Sequence, residues 1–260
     1  MPVSAGYHYF AHPAEQQHSK RLPVILIHGA GGNYLNWPPQ IRRLAGERIY
    51  ALDLPGHGQS EGIGRHSIDE YAEDVLKFMK VLNIRAAVLA GLSMGSAIAL
   101  TLALKQPKKI VGLALLGGGA KMRVASKILE TAGNSYTFKS TVEMINENCF
   151  SANTSPTLIQ LSKHNMLKIR PPVLLGDFLA CNEFDVTDQL EKITIPALIV
   201  CGSEDKMMPL KHSQSLHEGI ASSQLHVLEN AGHMVMLEQP ARVASLLKKF
   251  MDELPLRSVL

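Results

Sequence analysis

Three residues able to do nucleophilic chemistry stand just beyond apolar runs: Ser93 after AAVLAGL, Asp205 shortly after PALIVCG, and His233 at the end of QLHVLENAG. A serine hydroxyl attacks poorly at neutral pH unless a base takes its proton, an acid orients that base, and fixed N–H donors receive the developing oxyanion. His233 is the candidate general base and Asp205 the group that holds its imidazole. The serine lies in G-L-S-M-G, residues 91–95, ahead of the helical stretch SAIALTLAL. A sharp strand-to-helix turn there would expose the hydroxyl, and the flanking glycines would relieve crowding. A G-x-S-x-G alone fits a turn serine capping the next helix equally well, so the assignment depends on the partners.

The oxyanion donors are expected from LIHGAGGN, residues 26–33, whose glycines let the backbone curl under a carbonyl so that the amides of Ala30 and Met94 can reach it. The loop does not read as a phosphate cradle: G-x-G-x-x-G needs glycine where Tyr34 stands, and no G-K-S/T follows. His28 is expected to prop this loop, and His212, His217 and His226 to face solvent. Trp37, Leu92, Met207 and Met234, sequence neighbours of these groups, are expected on the substrate pocket wall. The cysteines, Cys149, Cys181 and Cys201, form no C-x-x-C pair and no zinc-like spacing, which points to reduced thiols and no metal. Cys201 closes an apolar run and reads as a small buried hydrophobe. No organic cofactor is implied.

Positioning these groups requires strands whose C-terminal ends converge. Six short apolar runs, PVILIHG, RIYALDLPG, AAVLAGLS, IVGLALLGG, PALIVCGSED and QLHVLENAGH, alternate with helical stretches, the pattern of a mostly parallel α/β sheet flanked by helices. SIDEYAEDVLKFMKVLNI opens with the capping box Ser67 to Glu70 and carries an apolar stripe, as a covering helix should. MGSAIALTLALKQP is nearly free of charge and rich in small residues, so it should lie close on the sheet. From residue 121 to 190 strands vanish and four helical pieces follow, around VASKILETA, STVEMINENC, PTLIQLSKHNML and PPVLLGDFLA. The expected organisation is therefore a core of residues 1–120 and 191–260 with a helical cap, residues 121–190, inserted into the sheet domain.

With 260 residues, 46% hydrophobic and 19% charged, the chain suits one large α/β domain with order everywhere but its ends. Its 26 basic and 23 acidic residues are scattered, for a net charge of +3, which disfavours nucleic acid as a partner. The first thirty residues hold no basic start followed by an apolar stretch, so neither signal peptide nor membrane span is expected, and the location implied is cytoplasmic. Monomer and homodimer both remain open.

Taken together, H-G-x-G-G, D-x-P-G-H-G-x-S (DLPGHGQS, residues 53–60), G-x-S-M-G, G-x-x-D and a late G-H resemble the capped α/β-hydrolase superfamily, in its serine esterase-like branch. The resemblance implies an α/β-hydrolase fold with the cap after the sixth strand and the triad in the order Ser93, Asp205, His233. It implies a carboxylesterase acting on small to medium, apolar acyl esters, with the small-molecule ester its partner. Relatives with haloalkane dehalogenase or epoxide hydrolase activity carry aspartate at the elbow, so Ser93 argues against both. Carbon–carbon hydrolases of ring-fission products, enol-lactonases and small-molecule receptors on the same fold share the remaining pattern. Two departures stand out: Ser96, where many relatives have glycine, and a short N-terminal segment, GYHYFAH, that leaves the usual first strand brief or missing.

Overall fold

The computed structural model describes residues 2–13 and 21–254; the disorder expected at the chain ends concerns residues outside that range. All six apolar runs form strands: β3 (Val24–Ile27), β4 (Ile49–Leu52), β5 (Ala87–Leu92), β6 (Ile110–Leu116), β7 (Ala197–Gly202) and β8 (Ser223–Leu228). They pair in parallel, in the order β4-β3-β5-β6-β7-β8. Every residue of β3, β5, β6 and β7 is buried, which is why these runs lack polar alternation. The N-terminal segment is the exception to expectation. It supplies two strands, β1 (Val3–Ser4) and β2 (Tyr7–His12), which extend the β4 edge antiparallel to a total of eight strands.

Alternate residues of each strand feed opposite faces. Ile25 and Ile27 point to a core shared with α2 (Ile68–Val81) and α3 (Met94–Lys105); Val24 and Leu26 point to one shared with α1 (Pro39–Arg42) and α10 (Pro240–Glu253). Helix α2 starts where Ser67 Oγ accepts the Glu70 amide, at 3.2 Å. Helix α3 has no polar face because Met94 through Ala103 are all buried. Helix α8 (Leu210–Gly219) follows β7, and the short α9 (Val235–Glu238) precedes α10. Between β6, the sixth strand, and β7 lie α4 (Ser126–Thr131), α5 (Phe138–Cys149), α6 (Pro156–Met166) and α7 (Pro171–Glu183). Val142, Ile145, Leu174 and Phe178 of these helices join the second core.

The chain crosses from β3 to β4 on one side of β3, then returns to β5 on the other. The loops leaving β3 and β5 therefore diverge, opening a crevice at the C-terminal ends of the strands, the position where open α/β sheets hold ligands.

Candidate active site

Ser93 sits on a sharp turn between β5 and α3 with φ 51° and ψ −116°, a strained conformation for a residue with a side chain, costing about 1–3 kcal/mol. The flanking glycines are forced by close approach. A Cβ at Gly91 would stand 2.1 Å from the Gly95 carbonyl oxygen, and one at Gly95 would stand 2.2 Å from that of Ile27. Ser93 N donates to Leu116 O at 2.9 Å, anchoring the turn to β6. Its side chain makes no capping bond to α3, so the helix-capping explanation of this serine fails. Ser96 performs the tying instead: its hydroxyl donates to Gly91 O at 2.7 Å and lies 3.2 Å from Leu116 O.

Asp205 and His233 leave the ends of β7 and β8 and meet. His233 Nδ1 lies 2.8 Å from Asp205 Oδ2, and both residues are 5% exposed. The other carboxylate oxygen accepts the amides of Met207, at 2.9 Å, and Met208, at 2.8 Å. Because a carboxylate only accepts, the imidazole carries a proton on Nδ1, and its neutral form then has Nε2 as an acceptor. Gly117, at the end of β6, makes room for the pair, since a Cβ there would lie 3.0 Å from His233 Nδ1.

Ser93 and His233 line one cavity of about 50 Å³ with Gly29 to Asn33, Leu92, Ile145, Cys149, Phe178, Met207 and Met234. Ser93 also borders a chamber of about 310 Å³ walled by Met122, Val124, Ile128, Met144, Ile145, Phe178, Met207 and Met208, with Arg123, Asn148 and Lys206 as its polar lining. Ala30 belongs to both cavities. The amides of Ala30 and Met94 have no hydrogen-bond acceptor among the described residues, whereas those of Gly31 and Gly32 are taken by Asp177 and Gly29. Of the expected wall residues, Leu92, Met207 and Met234 line the smaller cavity; Trp37 does not. It is fully buried in the second core with Leu26 and Ile41, where a large indole removes more apolar surface from water than it would on a cavity wall. His28 props the loop: Nδ1 lies 2.8 Å from Gly29 O, and Nε2 accepts the Leu54 amide at 3.1 Å. Burial, with His57 beside it, pulls its pKa down to about 4. Burial pushes all three thiols up, so none is a ready nucleophile. Of the histidines assigned to solvent, His217 is exposed while His212 and His226 are half-buried.

A sequence profile of the alpha/beta hydrolase fold family matches residues 23–240. The chain belongs to that family. It is 32% identical over 243 residues to the dihydrolipoyllysine-residue acetyltransferase component of the acetoin cleaving system of Pseudomonas putida, covering 85% of this chain but only 61% of that protein. It is 27% identical to the 2-hydroxymuconate semialdehyde hydrolase of Pseudomonas putida, over 96% of this chain and 93% of the relative. A solved thermophilic esterase superimposes with a TM-score of 0.79 at 30% identity, covering 95% of this chain and 98% of that one.

In this α/β hydrolase, DLPGHGQS wraps around the buried Asp53. Its carboxylate accepts the amides of Tyr34, at 2.7 Å, and Gln59, at 3.0 Å, and meets His8 Nδ1 at 2.6 Å. The turn thus ties β2 to the loop after β3. The segment after α5 is stapled to both partner loops. Glu238 accepts the amides of Ser151 and Gly232, each at 2.9 Å, and the Thr154 hydroxyl at 2.5 Å. Glu204 accepts the Ala152 amide at 3.1 Å, and Met234 N donates to Cys149 O at 3.1 Å. Sequence reasoning missed Glu204, Glu238, Gly117 and Asp177. Only Gly117 had a local signal, the glycine run that ends β6.

Proposed function

We propose that the protein is a serine carboxylesterase that cleaves small to medium, apolar acyl esters through an acyl-enzyme. The observation that carries this reading is the convergence on one cavity of Ser93, held on a strained turn, and His233, bonded to Asp205. Ser93 Oγ attacks the ester carbonyl as His233 Nε2 takes its proton, and the imidazolium returns that proton to the departing alkoxide. Water then repeats both steps on the acyl-enzyme. Asp205 keeps the imidazole in its working tautomer, and the amides of Ala30 and Met94 receive the oxyanion in each half-reaction. The acyl group occupies the largely apolar chamber of about 310 Å³, whose polar members are Arg123, Asn148 and Lys206, at the lower end of the range for small-ligand pockets. Residues 121–190 act as a cap that supplies most of that wall. The 30%-identical esterase is consistent with this chemistry.

The test is a panel of p-nitrophenyl esters of increasing acyl length, run beside a ring-fission diketone. We expect kcat/KM to peak at short to medium chains and Ser93→Ala to lower kcat by roughly 10⁴ or more with the fold intact. Undiminished ester hydrolysis by Ser93→Ala would falsify the nucleophile. Fast turnover of the diketone with weak ester activity would favour carbon–carbon cleavage instead of ester hydrolysis. A single slow turnover on every ester would favour a receptor.

A further inference from the structure

Asp177 is a fully buried carboxylate on the inserted helix α7, and it reaches back into the sheet domain. Its Oδ2 accepts the Gly31 amide at 2.8 Å and meets His57 Nε2 at 2.7 Å; its Oδ1 accepts the Tyr71 hydroxyl at 2.5 Å. The other nitrogen of His57, Nδ1, lies 3.1 Å from Pro55 O. A carboxylate and a carbonyl both only accept, so each imidazole nitrogen carries a proton and His57 is an imidazolium paired with Asp177. The remaining titratable groups around the pair are His28, whose ring centroid is 4.8 Å from that of His57, Asp53 and Cys181. Arg65 approaches through its amide, which donates to the Tyr71 hydroxyl at 3.0 Å.

We propose that Asp177 is a positioning residue for the oxyanion loop: by holding the Gly31 amide it fixes the peptide that follows Ala30, and so aims the Ala30 amide at the reacting oxygen. The inference rests on the oxyanion role given to Ala30 above. Two further features fit it. Gly31 adopts φ +64°, and a Cβ there would lie 2.7 Å from Leu174 Cδ1, so α7 clamps the same residue with an apolar side chain one turn before Asp177. Gly31 N–H is taken by Asp177 and Gly32 N–H by Gly29, which leaves Ala30, a lining residue of the cavity, as the one amide of the three without an acceptor among the described residues. Because the carboxylate belongs to the insertion and the loop to the sheet domain, the seating of α7 governs whether the oxyanion site is formed.

The test measures kcat, KM and inhibition by an acyl trifluoromethyl ketone, whose serine adduct carries the oxyanion, for Asp177→Ala, Asp177→Asn and Tyr71→Phe, with Ser93→Ala as reference. A misplaced donor acts on the transition state, so Asp177→Ala is expected to lower kcat about 100-fold, the range for losing one oxyanion donor, with KM within about threefold. Ketone affinity should fall in parallel, while affinity for the free acid product stays put. Asp177→Asn, which keeps an acceptor for Gly31 but loses the charge, should fall between, near tenfold, and Tyr71→Phe should cost only a few fold. If Asp177→Ala does not fold, the other two variants carry the test. Asp177→Asn with kcat within twofold of wild type, beside an inactive Ser93→Ala, overturns this inference and leaves the esterase reading standing. Equal losses in ketone and product affinity overturn it as well. A fully active Ser93→Ala overturns the esterase reading itself.

Discussion

Asp205→Asn removes a charge from the site with almost no change of shape, and the consequences follow from which atoms accept. In the protein one carboxylate oxygen takes the Met207 and Met208 amides, at 2.9 and 2.8 Å, and the other takes His233 Nδ1–H, at 2.8 Å. Asparagine has one acceptor oxygen to give. If that oxygen stays on the two amides, its NH₂ faces Nδ1, the imidazole must protonate Nε2, and the base toward Ser93 is lost, at about 10⁴ in kcat. If the amide flips, the tautomer is restored but the buried Met208 and half-buried Met207 N–H groups lose their acceptor, at about 1–3 kcal/mol each. Turnover through that minor rotamer is slowed by the summed cost, between ~30-fold and ~3 × 10⁴-fold at 1.36 kcal/mol per decade. The variant should therefore lose at least 30-fold in kcat on p-nitrophenyl butyrate, with a melting temperature close to wild type because the preferred rotamer keeps both amide bonds. A loss below tenfold would refute the assignment of Asp205 as the orienting acid.

Gly95→Ala drives a Cβ to 2.2 Å from a backbone oxygen of β3, so a destabilisation of roughly 3 kcal/mol or more is expected; an unchanged urea midpoint would contradict the close helix–strand approach. Trp37→Phe should cost roughly 2 kcal/mol through the space it vacates yet leave KM for esters unchanged, since the indole lies in the core; its Nε1 has no partner among the described residues to lose. His28, ordinarily 6.5 but near 4 in the fold, is protonated in the unfolded chain first, so its share of stability is present above pH 6.5 and is lost, by roughly 3 kcal/mol, as pH falls toward 4. His57, raised chiefly by Asp177 against its burial, works with the opposite sign, present below its ordinary range and lost as pH rises, so unfolding from pH 7 to 4.5 should flatten in His28→Asn; an equal slope would exclude His28 as the acid-labile group.

The parallel sheet was legible because burial on both faces of its central strands removes polar alternation, and the four inserted helices because their stretches are amphipathic or apolar without strand pattern, two of them opened by Pro156 and Pro171 at the first helical turn. Strand β2 was not legible. Its buried His8 meets Asp53, 45 residues away, through Nδ1, and nothing local signals such a partner. The same holds for Asp177, whose contacts lie 146, 120 and 106 residues distant. Ser93, Asp205 and His233 stood out because chain order and strand ends mark them, whereas nearness in sequence misled for Trp37: a residue after a loop can turn into the core as readily as toward the ligand.

The ties from residues 149–154 to Glu204, Glu238 and Met234 bear on how a substrate gets in and on how the protein can be rebuilt. Lifting the whole insertion as a rigid flap would drag the loop of His233 with it, so on the esterase reading proposed above, admission that leaves the His233–Asp205 pair and the Asp177 contact in place belongs to rearrangements among α4 and α6. By the same reasoning, a chimera that exchanges the insertion to change acyl preference must retain this short connecting stretch from the host, or import both glutamates along with the donor helices.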